Sequence, residues 1–379
     1  MDITDIREQI DTINNELLGL FIQRMQLAGQ IGRIKAQSGL PIYSPEREQE
    51  ILMQIRRNAP EDLADYASSL FSTLLELSRD YQAQDNAAKV KLLPLVNQAL
   101  FSTSGRFPTK AVVACQGVEG AYSQLAADKT FSFADIMYFK SFQAVFRAIE
   151  TGLCRYGVLP IENSSYGSVN AVYDLMRDHH FYIVREAKLP ISHNLLAAPG
   201  TQLNQIREVL SHEQAIGQCS KFLDNMGKIK ISFCENTALA AKTVANSPRH
   251  DLAAISSADC AVTYGLNTLK EGIQNHNNNF TRFIIISKEP EIYPGANKIS
   301  LLFTTENQPG ALNRVLSRFA RNGLNLSKLE SRPLEDSCFQ YAFYADIDAD
   351  PKESSVQRML AQMAEELTSF VFLGAYQEI

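Results

Sequence analysis

The chain has no run of about 18 apolar residues, so no membrane span is expected. Its first residues, Met1-Asp2-Ile3-Thr4-Asp5, are acidic and lack the apolar centre of a secretory leader. Positive charge is not in excess either: 36 Lys and Arg against 42 Asp and Glu leave a formal charge of −6. That argues against a nucleic-acid partner, because phosphate contacts need clustered cations. It leaves room for a small anionic ligand, which needs only a few local cations. No GxGxxG or GxxxxGK[ST] loop occurs, so the usual phosphate cradles are excluded. The six cysteines (115, 154, 219, 234, 260, 338) form no CxxC pair and read as buried thiols of a reducing cytoplasm. His179 and His180 are adjacent and cannot share a helix face as ligands do, so neither a metal nor another cofactor is expected.

What is present is ordinary for a globular protein: 45% hydrophobic residues, 21% charged, no low-complexity tract. At 379 residues the chain exceeds one ordinary core and implies two or three domains. From Ile6 to Gln37 there is no proline, and Ile6, Ile10, Ile13, Leu17, Leu20, Leu27, Ile31 and Ile34 keep a coiled-coil-like 4-3 spacing. A helix of this length spans roughly 48 Å, more than a small domain is wide, so it is expected to pack along a second copy of itself. Arg24 breaks the seam. It either snorkels to solvent or meets an anion. Lys35 is three turns on and points within about 20° of it. Arg7 lies roughly 26 Å back along the axis, so it could reach the same ligand only from an antiparallel partner.

Ser44-Pro45 marks an N-cap and a first-turn proline, with Arg47 and Glu48 in the turn that follows. Pro60 is expected to open a third helix with a seam at Leu63, Ala67, Leu70, Leu74, Leu77 and Tyr81. Ser78 and Gln82 border that seam on one face. Through Arg7, Arg24, Lys35, Arg47, Glu48, Ser78 and Gln82, residues 1–92 resemble the all-helical class of chorismate mutase, whose dimer shares a long first helix. The resemblance implies that the arginines bind the two carboxylates of chorismate, one of them from the partner. It further implies that Lys35 and Gln82 donate to the ether oxygen and that Glu48 accepts from the hydroxyl. Ser44 departs from the aspartate frequent in that family.

Residues 93–107, with the run Phe101-Ser-Thr-Ser-Gly-Arg-Phe107, read as a linker. Beyond it, strands at 111–114, 156–161, 230–233 and 252–255 alternate with helices, an α/β layer fold with parallel strands. Three polar clusters fall where a strand hands over to a helix: Glu162-Asn163-Ser164-Ser165, Ser211-His212-Glu213-Gln214 and Glu235-Asn236-Thr237. Each either caps its helix or holds a ligand. A further short buried strand, Asn278 to Ile286, carries Thr281 and Arg282 at its entrance, where each needs a partner.

Residues 108–288 resemble prephenate dehydratase through Gly117-x-x-Gly120-x-Tyr122-Ser123, Pro160-Ile-Glu-Asn-Ser164 with Gly167-Ser168-Val169, Ser211-His212-x-Gln214-Ala215 with Gln218-Cys219, and Asn279-Phe-Thr-Arg-Phe283. Val118 and Ala121 depart from the usual proline and threonine. The resemblance implies two α/β lobes like a type II periplasmic binding protein, with Thr281 catalytic in the cleft. Glu162 is the expected proton source if burial raises its pKa, and Asn163, Ser211, Gln218 and Thr237 are expected to hold the substrate. Arg282 either binds a carboxylate or braces its strand.

Residues 296–379 follow the order βαββαβ, ferredoxin-like. Gly310-Ala311-Leu312 and Glu330-Ser331-Arg332-Pro333 resemble the phenylalanine-binding motifs of the ACT regulatory domain. The multidomain α and α/β chain is therefore expected to convert chorismate to prephenate and then to phenylpyruvate, with phenylalanine as effector and a homodimer or higher oligomer as its state. An arogenate-preferring dehydratase and a non-catalytic amino-acid sensor are the alternatives.

Overall fold

Freedom from proline and the 4-3 apolar spacing yield one unbroken helix, α1 (Ile3–Ser38), in the computed structural model. The structure describes residues 2–82, 92–276, 278–334 and 340–379; Cys338 and Phe339, the latter the expected start of a strand, lie outside them. Asp2 and Asp5 cap the start of α1 reciprocally, and Gly39, at φ 66°, lets the chain leave its end. Two more helices follow: α2 (Pro45–Asn58) and α3 (Ala64–Gln82). Ser44 occupies the N-cap position of α2, but its side chain makes no capping bond.

The eight seam residues of α1 are all exposed, from 44% at Ile6 to 62% at Leu20. Arg24 does not share that surface. It sits where the seam meets a second strip, of Met25, Ala28 and Gly32, and its long side chain turns to α3. The third helix also differs from expectation. Pro60 starts a turn, closed by Leu63 N to Pro60 O at 3.0 Å, and the helix begins at Ala64. Its buried residues are Ala64, Leu75 and Ser78, while Leu63, Leu70 and Tyr81 of the expected seam are exposed. The helix is thus turned by about one residue from the expected face.

Residues 1–94 with Gln357–Glu366 form one compact unit, and Leu95–Val356 with Leu367–Ile379 form another. The expected linker is two-thirds helical: α4 (Leu92–Ser102) buries Val96 and Ala99, apolar positions at helical spacing, and ends within the Ser/Gly run. The first lobe of the larger unit then runs β1 (Lys110–Gln116), α5 (Tyr122–Thr130), β2 (Phe133–Phe139), α6 (Phe142–Glu150), β3 (Tyr156–Asn163), β4 (Gly167–Ser168), α7 (Asn170–Asp178) and β5 (Tyr182–Pro190). The second lobe is β6 (Asn194–Ala197), β7 (Glu208–Ser211), α8 (Glu213–Gln218), α9 (Ser220–Asn225), β8 (Lys230–Phe233), α10 (Thr237–Ala245), β9 (Leu252–Ser256), α11 (Ala258–Tyr264) and β10 (Asn267–Lys270). Strand β11 (Phe280–Ser287) returns to the first lobe.

The two sheets are ordered β2-β1-β3-β11-β5, with β4 on β3, and β10-β6-β9-β7-β8. They are mixed, correcting the expectation of parallel strands. β1, β2 and β3 are parallel, as are β7, β8 and β9, but β11 runs antiparallel to both β3 and β5. Topology supplies the reason. The chain crosses between lobes twice, after β5 and after β10, so the returning strand enters its sheet from the opposite end.

The C-terminal segment is β12 (Lys298–Thr304), α12 (Ala311–Arg321), β13 (Asn325–Pro333), β14 (Tyr341–Asp348), α13 (Ser354–Glu366) and β15 (Ser369–Tyr376). Its sheet, β13-β14-β12-β15, is antiparallel throughout. Leu302, Ala342, Tyr344, Leu373 and Tyr376 share one buried cluster with Leu159, Val172, Tyr173 and Ile284 of the first lobe. Gly374 makes the closest approach: a Cβ there would meet the Ile183 carbonyl oxygen at 2.1 Å. The last residues then add to the edge of β5, with Ile379 N bonded to Glu186 O at 2.8 Å. Among the described residues, no helix is long and apolar enough to cross a membrane.

Candidate active sites

In the helical unit, Arg24 donates to Leu74 O at 3.0 Å and to Ser78 Oγ. Lys35 donates to Ile42 O at 2.6 Å. Burial lowers the pKa of Arg24 and only Glu48 opposes the shift, so this half-buried cation is short of negative charge. Gln82 Oε1 is buried with no partner among the described residues. A desolvated cation and an orphaned amide oxygen on adjoining helices are what a polar ligand would satisfy.

Glu48 is half-buried and ion-paired to Arg79, a residue the sequence reading passed over. The Arg79 guanidinium also lies 5.1 Å over the Tyr43 ring. The available signal was Glu48 itself, an inward acid that needs a cation. Arg47 and Arg7 are not brought in: Arg47 pairs with Glu50 at 2.9 Å on the exposed side of α2, and Arg7 is exposed on α1.

Gly32 sets how near α3 can come, since a Cβ there would stand 3.0 Å from Gln82 Cα. The β-branched side chain of Gly32→Val must push Gln82 away. Mutase turnover should fall on the order of tenfold to a hundredfold, with dehydratase turnover unchanged, as separate assays of the two reactions would show.

In the larger unit, the ladder between β3 and β11 pairs Thr281 with Asn163 and Arg282 with Glu162. Side chains alternate along strands, so the first pair faces one side and the second the other. On the first side, Asn163 Nδ2 donates to Thr281 Oγ1 at 2.9 Å and to Asn279 Oδ1 at 2.8 Å. Asn279 Nδ2 donates to Gln218 Oε1 at 2.9 Å. Gln218 Oε1 also meets Nε2 of His193, a second residue that sequence reasoning missed. Thr281 is 8% exposed and is bonded through its oxygen. A strand of the first lobe and a helix of the second are thus tied together through Asn279.

The other expected ligand residues divide. Asn163 and Gln218 join the Thr281 cluster. Ser211 is fully buried and donates to Ile255 O at 2.7 Å, within its own sheet. Thr237 is the first residue of α10, half-buried, after Asn236, which caps Leu239 N at 2.8 Å. The Glu162–Ser165 cluster opens the β3–β4 hairpin, not a helix: Asn163 Oδ1 accepts from Ser165 N at 3.0 Å and Tyr166 N at 3.1 Å. His212 and Asn236 do cap their helices.

Behind the ladder lies a cluster of charges. Arg282 reaches Glu186 and Asp346 at 2.8 Å and Glu162 at 2.9 Å. It is a brace, with its donors committed to carboxylates of the first lobe and of β14. Lys328 of β13 meets Glu162 at 2.6 Å, and Lys298 meets the fully buried Glu186 at 3.1 Å. The expected rise in the Glu162 pKa does not occur. Burial pushes it up, but Lys328 and Arg282 outweigh burial and hold the carboxyl below its ordinary value. Glu162 is therefore a charged brace here, not a protonated acid.

Gly310, at φ 80°, precedes α12, whose first residue Ala311 is buried and whose second, Leu312, is half-buried. On β13, Glu330 accepts from Ser168 Oγ at 2.5 Å and Arg332 grips both oxygens of Asp174 at 2.7 and 3.1 Å. Ser331 and Pro333 are exposed between and beyond them. Cys115, Cys154, Cys219 and Cys260 are buried free thiols, and burial raises the pKa of each. Among the described residues, no group of three His, Cys, Asp or Glu is placed to hold a metal ion.

Comparison with known proteins gives three family matches: chorismate mutase type II over residues 6–83, prephenate dehydratase over 113–291 and the ACT domain over 299–367. The bifunctional chorismate mutase/prephenate dehydratase of Aquifex aeolicus is 31% identical over 99% of this chain and 98% of its own length. Arogenate dehydratase/prephenate dehydratase 1 of Arabidopsis thaliana is 40% identical over 75% of this chain and 76% of its own length. Among solved structures, prephenate dehydratase from Arthrobacter aurescens in complex with L-Phe superposes with a TM-score of 0.63 at 30% identity, covering 70% of this chain and 90% of that one.

Proposed function

The chain belongs to the bifunctional chorismate mutase/prephenate dehydratase family, and from that membership we propose how its residues divide the work. It is an enzyme with both activities, rearranging chorismate to prephenate and converting prephenate to phenylpyruvate. A sensor without catalysis does not fit a chain carrying both catalytic segments.

The first reaction is a pericyclic rearrangement. It needs no nucleophile and no proton transfer, only a compact conformer of the substrate and donors aimed at the ether oxygen as it gains charge. Arg24 takes one carboxylate. Lys35 and Gln82 serve the ether oxygen, and Glu48, steadied by Arg79, takes the hydroxyl. Arg47 joins by rotating away from Glu50. Arg7 comes from a second copy, whose α1 covers the exposed seam. That seam is the reason for assigning a homodimer or a larger oligomer.

In the second reaction the ring carboxylate leaves as CO₂. Its bonding electrons enter the ring and expel the hydroxyl on the far carbon, so no general base is required. What helps is a hydrogen bond to the departing oxygen. The observation that carries this reading is that Asn163 donates to Thr281 Oγ1. The hydroxyl accepts on its oxygen and directs its own proton elsewhere, and a hydroxyl that accepts becomes the stronger donor. Phenylalanine is assigned to the C-terminal motifs, Gly310–Leu312 and Glu330–Pro333, as a feedback inhibitor with a coupling of about 1–3 kcal/mol. The cytoplasm is assigned from the free thiols.

The purified chain should turn chorismate into prephenate and then phenylpyruvate, with phenylalanine slowing the second step. Failure to form either product removes the assignment of the corresponding site. Arogenate offered in parallel separates the plant-type preference: faster turnover than prephenate would replace the keto acid as the favoured substrate.

A further inference from the structure

His193 lies between β5 and β6, on the first crossover, and its backbone N–H is held at 3.0 Å by Oε1 of Gln274 on the second. The residue is 3% exposed. Its Nε2 meets Gln218 Oε1, and its Nδ1 has no partner among the described residues.

The direction of every bond from Asn163 to this ring can be deduced. The backbone N–H groups of Ser165 and Tyr166 only donate, so the Asn163 atom they meet is its oxygen. The Asn163 nitrogen therefore faces Asn279, which must answer with oxygen. Asn279 then turns its nitrogen to Gln218, which must answer with oxygen in turn. That oxygen accepts from His193, so the ring carries its proton on Nε2. Burial lowers the imidazole pKa against the opposing pull of Gln218, which keeps the ring neutral and Nδ1 bare. The Gln218 nitrogen makes no hydrogen bond among the described residues, and with the oxygen turned inward both its N–H groups face outward from the cluster.

We propose that His193 is a positioning residue for the dehydratase reaction: its Nε2–H clamps the oxygen of Gln218 so that the amide presents two donors, and no acceptor, to the substrate's carboxylate. This rests on the assignment of Gln218 to substrate binding. Without the clamp, one bond from Asn279 remains to choose between two amide orientations, and half of the donor set can be lost by a flip. Thr281 is insulated from that change, because Asn163 is fixed from its own side by two backbone groups.

The test uses the full-length chain with His193→Leu, His193→Gln, Gln218→Ala and the double variant His193→Leu/Gln218→Ala. A glutamine nitrogen reaches the position of imidazole Nε2 and can donate as it does; leucine cannot. His193→Leu should raise KM for prephenate about tenfold, the loss of one such hydrogen bond, with kcat and mutase turnover nearly unchanged. His193→Gln should recover most of the lost KM, and the double variant should be no worse than Gln218→Ala. A fall in kcat at constant KM in His193→Leu, or additive losses in the double variant, would overturn the proposal and leave a structural histidine. If Gln218→Ala itself leaves KM untouched, the parent assignment fails and this proposal with it. Should the leucine variant not fold, ¹⁵N spectra of the wild-type imidazole decide: a proton on Nδ1 instead of Nε2 overturns the clamp.

Discussion

Thr281→Ala is expected to lower dehydratase turnover by about 10²–10³-fold, the usual loss when one donor aimed at developing charge is removed. The effect should fall on kcat, because the hydroxyl is asked to act on the departing oxygen and not on the resting substrate. Thr281→Val is the sharper control. It keeps the branched side chain and the packing of a residue only 8% exposed, and removes the hydroxyl alone. Thr281→Ser should retain part of the activity, since Asn163 can still donate to its oxygen. Prephenate formation from chorismate should stay at the wild-type rate in all three. A valine variant that makes phenylpyruvate as fast as the parent would end the assignment of Thr281 as the assisting group.

Lys35→Ala should raise the mutase barrier by about 3–4 kcal/mol, while prephenate supplied from outside is still dehydrated normally. Lys35 sits in the last turn of α1, and its ammonium is held against the Ile42 carbonyl, beyond the turn at Gly39. That tether fixes the charge in place before substrate arrives, so little reorganisation is needed as the ether oxygen becomes negative. Alanine keeps the helix and takes away only the donor. An alanine variant with wild-type mutase turnover would remove Lys35 from the chemistry and with it the reading of the helical site.

How much of this was legible depended on how local the signal was. The long helix, the strands 230–233 and 252–255 and the order of the C-terminal elements follow from periodicity, and they came out within a few residues. Asn163 and Thr281 were singled out separately, and the β3–β11 register makes them neighbours. Hidden were features decided by residues far apart in the chain. Nothing near Glu162 tells that Lys328, 166 residues later, will hold it ionised. Nothing near His193 tells that a glutamine 25 residues on will meet its ring nitrogen. Arg24 stands at the border of the seam, and the spacing that defines a seam says nothing about which way a long side chain leans. The mixed sheets were missed because a chain that crosses twice between lobes reverses a strand without any mark in its composition.

Strand β11 seats Thr281 and Arg282 back to back, one turned to the amide chain and the other to the charges shared with β12, β13 and β14. A single residue step therefore separates the alcohol assigned to the chemistry from the guanidinium that braces the sheets. A substitution that loosens the ion cluster at the guanidinium is then felt by the alcohol beside it on the same strand. Lys298 and Asp346 reach the same ion cluster from the C-terminal sheet, one strand removed from the alcohol.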